Sequence, residues 1–258
     1  MIQPIKRLGQ NFLQDPNTIR KIVDSLTCRP DDRVVEIGPG MGALTGLLAE
    51  KYADFSAIEL DDRAISYLNE QLPGVTVTQG DILEVNWEQI AAGSKSGSVS
   101  VIGNLPYYIT SQIIFGLLDA REYVKEAVIM MQYEVAERLI AQPRTKQYGI
   151  LSVAVQLACV PKLLFPVSRN VFFPKPDVRS AMVQLDFSSD RPDLGVDSDG
   201  LRRIIRTAFN QRRKTLRNSL SSVLAEKERE LPEEFASKRA EELSPEDFVR
   251  LASYLLSD

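Results

Sequence analysis

The sequence predicts a doubly wound α/β domain with a mostly parallel sheet, followed by a small all-helical domain. Three observations predict it. Short β-branched runs alternate with amphipathic stretches up to about residue 187, the pattern of a parallel sheet covered by helices on both faces. A polar stretch bearing Pro and Gly, "SSDRPDLGVDSDG" at 188–200, then interrupts it and reads as a linker. Beyond the linker, apolar residues recur at helical spacing.

The strands expected in order are "RVVEIG" (33–38), "FSAIEL" (55–60), "VTVTQG" (75–80), "SVSVIGN" (98–104) and "EAVIMMQ" (126–132). Glycine or polar residues bound each of them. Between most of them lie helical patterns, "ALTGLLAEKY" (43–52), "DRAISYLNEQL" (62–72) and "SQIIFGLLDA" (111–120). "PKLLFPVS" (161–168) and "SAMVQLDF" (180–187) read as two further strands at one edge. In the tail, Leu201, Ile204, Ile205, Ala208 and Phe209 mark one apolar helix face, and Leu216, Leu220, Val223 and Leu224 another. Ser244 precedes "PEDFVRLASYLL" as an N-cap, with Pro at the first helical position and acids in the first turn. The expected domains are therefore 1–187 and 201–258, joined by 188–200.

At 258 residues and 44% hydrophobic, the chain has enough material for one sizeable core and a smaller appended domain. Its two cysteines, Cys28 and Cys159, make no disulfide framework and no zinc cluster. The first residues lack the apolar run of a signal peptide. The longest apolar stretch, "GILSVAVQLACV" (149–160), is too short for a membrane span. A cytoplasmic protein without a metal is the expectation. Net charge is −4, which taken alone argues against a nucleic-acid partner. Between Leu201 and Ser219, however, stand seven basic residues and no acidic one: Arg202, Arg203, Arg206, Arg212, Arg213, Lys214 and Arg217. A local basic surface is possible despite the acidic total.

"VVEIGPGMGALTGLL" is a strand, a glycine turn and a helix start. Gly38 and Gly40 allow a ligand close to the backbone at the carboxyl end of the first strand. Glu59 ends the second strand 21 residues after Gly38, where a carboxylate can take ribose hydroxyls. The spacing Gly38-x-Gly40-x-x-Ala43 also fits a dinucleotide fingerprint, which makes a nicotinamide enzyme an alternative. Asp81 follows the third strand, placed for an adenine amine, and Asn104 ends the fourth. Gly38, Glu59, Asp81 and Asn104 thus ring one crevice. The chain has no histidine, so any chemistry there proceeds without the commonest general base.

"EIGPGMG", the acid of "AIEL", the "GD" pair and "NLPY" (Asn104, Leu105, Pro106, Tyr107), in this order, resemble the class I S-adenosylmethionine-dependent methyltransferases that modify an exocyclic amine, a Rossmann-like fold. More narrowly the chain resembles the ribosomal RNA adenine dimethyltransferase family. The narrower match rests on "LGQNFL" (8–13), on Phe172, Pro174, Pro176, Val178 and Ser180 of an F-x-P-x-P-x-V-x-S pattern, and on "RRKTLRNSL" (212–220). It runs from residue 6 to about 220.

The resemblance implies S-adenosylmethionine as methyl donor, with Asn11, Leu13, Gly38, Gly40, Glu59, Asp81 and Asn104 around it. It implies that Asn104 and a backbone carbonyl of Leu105 or Pro106 accept the two N–H bonds of adenine N6. Tyr107 and Phe172 are implied to wall the base, with Phe173 able to exchange with Phe172. Arg212, Arg213, Lys214 and Arg217 are implied to contact RNA phosphate. The basic "RRKTLRNSL" and the long "NVFFPKPDVRSAMV" resemble the branch that dimethylates adjacent adenines near the 3′ end of small-subunit RNA during ribosome biogenesis. The expected partner is then a partly assembled 30S particle, met by a monomer. The branch acting on large-subunit RNA in macrolide resistance, and a non-catalytic assembly factor of the same fold, are the alternatives.

Overall fold

The computed structural model describes residues 3–5, 9–188 and 194–257. These divide into two compact units, residues 1–136 with 159–189, and residues 137–158 with 190–258. Leu8 of "LGQNFL" lies outside the described residues.

The first unit holds β1 (Phe12–Leu13), α1 (Pro16–Val23), β2 (Arg33–Ile37), α2 (Thr45–Lys51), β3 (Asp54–Glu59), α3 (Asp62–Gln71), β4 (Thr76–Gln79), α4 (Trp87–Ala92), β5 (Val99–Asn104), α5 (Thr110–Asp119) and β6 (Val124–Gln132). After α6 (Tyr133–Leu139) and α7 (Ile150–Ala158) come β7 (Val160–Val167), β8 (Phe172–Phe173) and β9 (Ser180–Asp186). Seven strands form one sheet in the order β4-β3-β2-β5-β6-β9-β7. β4 through β6 run parallel, and β9 lies antiparallel between β6 and β7. The largely apolar strands β2, β5 and β6 are mostly buried, as strands covered on both faces must be. β7 carries Pro161 and Pro166 and takes the outer edge, where a missing N–H costs no ladder bond. Order reverses between β2 and β5, so the crevice beyond their carboxyl ends is where such a sheet binds a ligand.

The second unit contains α7 with α8 (Ser198–Asn210), α9 (Leu216–Ser219), α10 (Ser221–Lys227), α11 (Glu233–Ala236) and α12 (Pro245–Leu256). Ser244 caps α12 by accepting from the Asp247 N–H at 3.1 Å, and the Asp247 carboxylate accepts from the Ser244 N–H in return. The expected boundaries need two corrections. Residues 137–158, placed by sequence in the sheet domain, belong to the helical unit. Tyr148, Val153 and Leu157 share its core with Leu201, Ile204, Phe235 and Phe248, and Phe209 stacks on Phe248 at 5.7 Å. Burial in that core is what draws the apolar run of α7 away from the sheet. The linker is also shorter than expected. Asp197 caps α8, which starts at Ser198, and Leu194 and Val196 pack on the same core. Residues 189–193 of the expected linker lie outside the described residues.

Candidate active site

The carboxyl ends of β2, β3, β4 and β5 line one cleft in the first unit, which opens to solvent. Gly38, Gly40, Glu59, Asp81, Asn104, Leu105, Pro106 and Tyr107 all line it, joined by Asn11 and Leu13 from the N-terminal segment.

Backbone geometry fixes the first wall. Gly38 follows β2 with φ of +64°, a value side-chain-bearing residues reach only with strain. Open space stands where its Cβ would project, so a ligand can lie against the main chain there. The Gly40 N–H donates to Glu59 Oε2 at 3.0 Å, and the Leu60 and Asp61 N–H groups donate to Oε1 at 2.8 and 2.9 Å. Glu59 is 8% exposed, so this carboxylate is held rigidly at the cleft edge with its charge compensated. Asp81 accepts from the Leu83 N–H through Oδ1 at 2.9 Å.

The N-terminal segment is clamped from outside. Gln10 donates to Asp61 Oδ2 at 2.8 Å and accepts from the Ile5 N–H at 2.9 Å. Arg63 pairs with the same Asp61, and its hydrogen bonds hold that carboxyl at about 2.

Around "NLPY" the bonds divide the available groups by role. Asn104 Nδ2 donates to the Asn11 carbonyl at 3.0 Å. Its Oδ1 accepts from no described residue, leaving an oriented acceptor in the cleft. The Pro106 carbonyl is already engaged by the Ile109 N–H at 3.3 Å and by Thr110 Oγ1 at 3.0 Å. Of the two carbonyls implied by the resemblance, Leu105 is the one that accepts nothing among the described residues. Tyr107 shares a 2.7 Å hydrogen bond with Ser180 Oγ, and burial pushes its phenol upward, so the ring is neutral and fixed. Ser180, the last member of the quoted F-x-P-x-P-x-V-x-S pattern, thus positions the tyrosine.

Phe172 requires a correction. It is 5% exposed, pairs with Leu13 in a two-stranded ladder and lies in the core. Neither it nor Phe173 is among the residues that line the cleft. Phe173 is 50% exposed and pairs with Phe12, a cleft residue. Strand alternation puts one of two adjacent aromatics inside and the other outside. Leu13 is mostly core as well, although it also lines the cleft.

Sequence reading missed Glu36, Leu60 and Ile82. Leu60 and Ile82 directly follow the two carboxylates and supply apolar flanks to the cleft, a position that itself could have signalled them. Glu36 lines the cleft yet is 2% exposed, and Thr45 Oγ1 donates to it at 2.8 Å. Burial, reinforced by the charge of Glu59 and opposed by the Thr45 bond, pushes Glu36 up to about 8. It is therefore a neutral acid at pH 7.

In the helical unit the expected phosphate contacts separate. Arg213, Lys214 and Arg217 are exposed. Arg212 is not free: it donates to Glu241 at 2.6 Å and to the carbonyls of Thr145 and Lys146 at 2.9 Å each. Among the described residues no group of His, Cys, Asp or Glu could hold a metal. None of the described helices is long and apolar enough to cross a membrane.

Comparison with known proteins agrees with this geometry. Ribosomal RNA small subunit methyltransferase A of Salinibacter ruber is 48% identical over 253 residues, 98% of this chain and 85% of that protein. A dimethyladenosine transferase crystal structure from Plasmodium falciparum matches with a TM-score of 0.77 at 25% identity, covering 93% of this chain and 95% of the other. The crystal structure of the 23S rRNA methyltransferase ErmE matches with a TM-score of 0.67 at 26% identity, covering 95% and 99%. The family model described as ribosomal RNA adenine dimethylase matches residues 3–257, and the chain belongs to that family.

Proposed function

We propose that this chain is an S-adenosylmethionine-dependent methyltransferase that dimethylates the N6 amines of adjacent adenines near the 3′ end of small-subunit ribosomal RNA during ribosome biogenesis. The observation that carries the chemistry is the orientation of Asn104. With its amide nitrogen spent on the Asn11 carbonyl, its Oδ1 is left as an unengaged acceptor, and it and Leu105, whose carbonyl accepts nothing among the described residues, both line the cleft.

The cleft suits the donor in the placement of its groups. The methionine part would lie over Gly38, where no side chain intrudes. Glu59 would take the ribose hydroxyls and Asp81 the adenine amine, between Leu60 and Ile82, with Asn11 and Leu13 closing the cleft. When bound, S-adenosylmethionine supplies an electrophilic methyl group. The residues of the chain do the rest by positioning. The lone pair of adenine N6 is delocalised into its ring, so the amine must be turned before it can attack. Asn104 Oδ1 and the Leu105 carbonyl accept its two N–H bonds and aim the lone pair. As the N–C bond formed and the donor's sulfur–methyl bond broke, releasing the demethylated thioether, the amine would become acidic and its proton would leave to water, so no histidine is needed.

The target base must be flipped out of its stack. The Tyr107 ring, fixed by Ser180, stacks on it, and Phe173 rather than Phe172 supplies the second aromatic surface. Such stacking is worth about 1–3 kcal/mol per base. Arg213, Lys214 and Arg217 bind RNA phosphate on a partly assembled 30S particle, and the protein acts as a cytoplasmic monomer. The small-subunit branch is favoured over the macrolide-resistance branch by the 48% identity to a small-subunit enzyme against 26% to ErmE. Incubation with labelled donor and small subunits lacking the modification, then nucleoside mass spectrometry, tests the reading. N6,N6-dimethyladenosine in small-subunit RNA supports it, and label confined to large-subunit RNA refutes it.

A further inference from the structure

The loop between α6 and α7 carries a backbone conformation that its residue does not favour. Arg144 has φ of 69°, the left-handed region that glycine occupies freely and arginine only with strain. The loop is nevertheless tied down on all sides. The Arg144 N–H donates to the Glu241 carbonyl at 2.7 Å. Arg212 grips the Thr145 and Lys146 carbonyls at 2.9 Å. Thr145 Oγ1 donates to the Gln142 carbonyl at 2.7 Å, and Tyr148 anchors the loop's end to the Leu243 carbonyl at 2.8 Å.

What this scaffold holds out is charge. Arg144 and Lys146 are exposed, and Lys146 has no ion pair among the described residues. Arg144 stands 3.6 Å from Glu242 with its side chain 73% exposed, a geometry that solvent screening makes weak. The nearby acids are committed elsewhere. Glu241 pairs with Arg212, and the second oxygen of Glu242 accepts from the Arg239 N–H at 2.7 Å. A β-bridge joins Thr215 to Arg239, so residues 144–146, 212–217 and 238–239 meet on the helical unit.

We infer that the 142–147 loop is a second phosphate-binding element, in which Arg144 and Lys146 contact the RNA backbone and Arg212 positions them instead of contacting RNA itself. This rests on the ribosomal RNA reading proposed above. RNA fits better than an acidic protein surface because rigidly spaced cations suit regularly repeating phosphates.

The test compares the full-length protein with two variants, R144G/K146A and R213A/K214A/R217A. Each is bound to unmodified small ribosomal subunits across a salt series, with melting temperature and donor binding measured alongside. R144G/K146A should lower the slope of log affinity against log salt by about 1–2. Its melting temperature should hold or rise, because glycine relieves the strain, and donor binding should not change. An unchanged slope in R144G/K146A with a reduced slope in R213A/K214A/R217A overturns this inference and leaves the RNA reading standing. An unchanged slope in both overturns both. If R144G/K146A melts early, Lys146→Ala alone decides: a slope lowered by about 1 supports the loop's role, and an unchanged slope refutes it.

Discussion

The two units hold their polar groups in opposite ways. At the cleft, acceptors are fixed by backbone. Glu59 receives three main-chain N–H bonds, Asn104 is turned by the Asn11 carbonyl, and Tyr107 is pinned by a buried serine. On the helical unit, cations either grip one another's loops, as Arg212 does, or stand exposed, as Arg213, Lys214 and Arg217 do. The first arrangement gives precise direction in a partly dry space, where each hydrogen bond counts strongly. The second gives long-range, salt-screened attraction in which no single contact matters much. Catalysis needs the former and capture of a large polyanion the latter.

The contrast can be broken most severely at the adjacent phenylalanines. Phe172→Ala should lower stability by about 3–5 kcal/mol, since it empties a core site. Phe173→Ala should leave thermal unfolding unchanged and reduce kcat/KM by roughly 10-fold or more through the lost stack. If instead Phe172→Ala keeps full stability and only activity falls, the assignment reverses. Asn104→Ala should lower turnover by roughly 10²–10³-fold with only modestly weaker donor binding by calorimetry. Unchanged turnover would remove Asn104 from the mechanism.

Glu36 sharpens the comparison through pH. Its acid form is favoured in the folded state, so its contribution is full below the ordinary carboxylate range and is lost as pH rises toward about 8. Wild-type protein should therefore lose stability across that interval, on the order of 4 kcal/mol at its top. Glu36→Gln should lack this part of the slope. Parallel melting curves for the two proteins from pH 5 to 8.5 would refute the buried neutral acid.

The smallest effects belong to the surface. Arg212→Ala should cost about 1 kcal/mol in chemical denaturation. The R213A/K214A/R217A variant should keep wild-type stability and show its deficit only in salt-dependent particle binding. Equal destabilisation by both would mean that the free and the committed arginines are not different in kind.

Legibility in the sequence followed the same division. Strand ends could be read because a period of two and a bounding glycine are local signals, so Gly38, Glu59, Asp81 and Asn104 converge as expected. The two added strands share one edge as expected, although β9 lies inside β7. What failed depended on distant partners. The excursion of residues 137–158 into the helical unit is decided by contacts with residues beyond 200. The fate of Arg212 is decided by Glu241. Which phenylalanine is buried is decided by its pairing with Leu13. Glu36 was invisible because the run "RVVEIG" reads as an ordinary buried strand, and only burial turns its acid neutral.

The most direct test of the central claim is nucleoside mass spectrometry after incubation of the protein with S-adenosylmethionine and small subunits lacking the modification. The account predicts N6,N6-dimethyladenosine in small-subunit RNA, none in large-subunit RNA, and its loss with Asn104→Ala. Intact donor binding with no methylated adenosine in either RNA would contradict it and leave a binding protein in place of an enzyme.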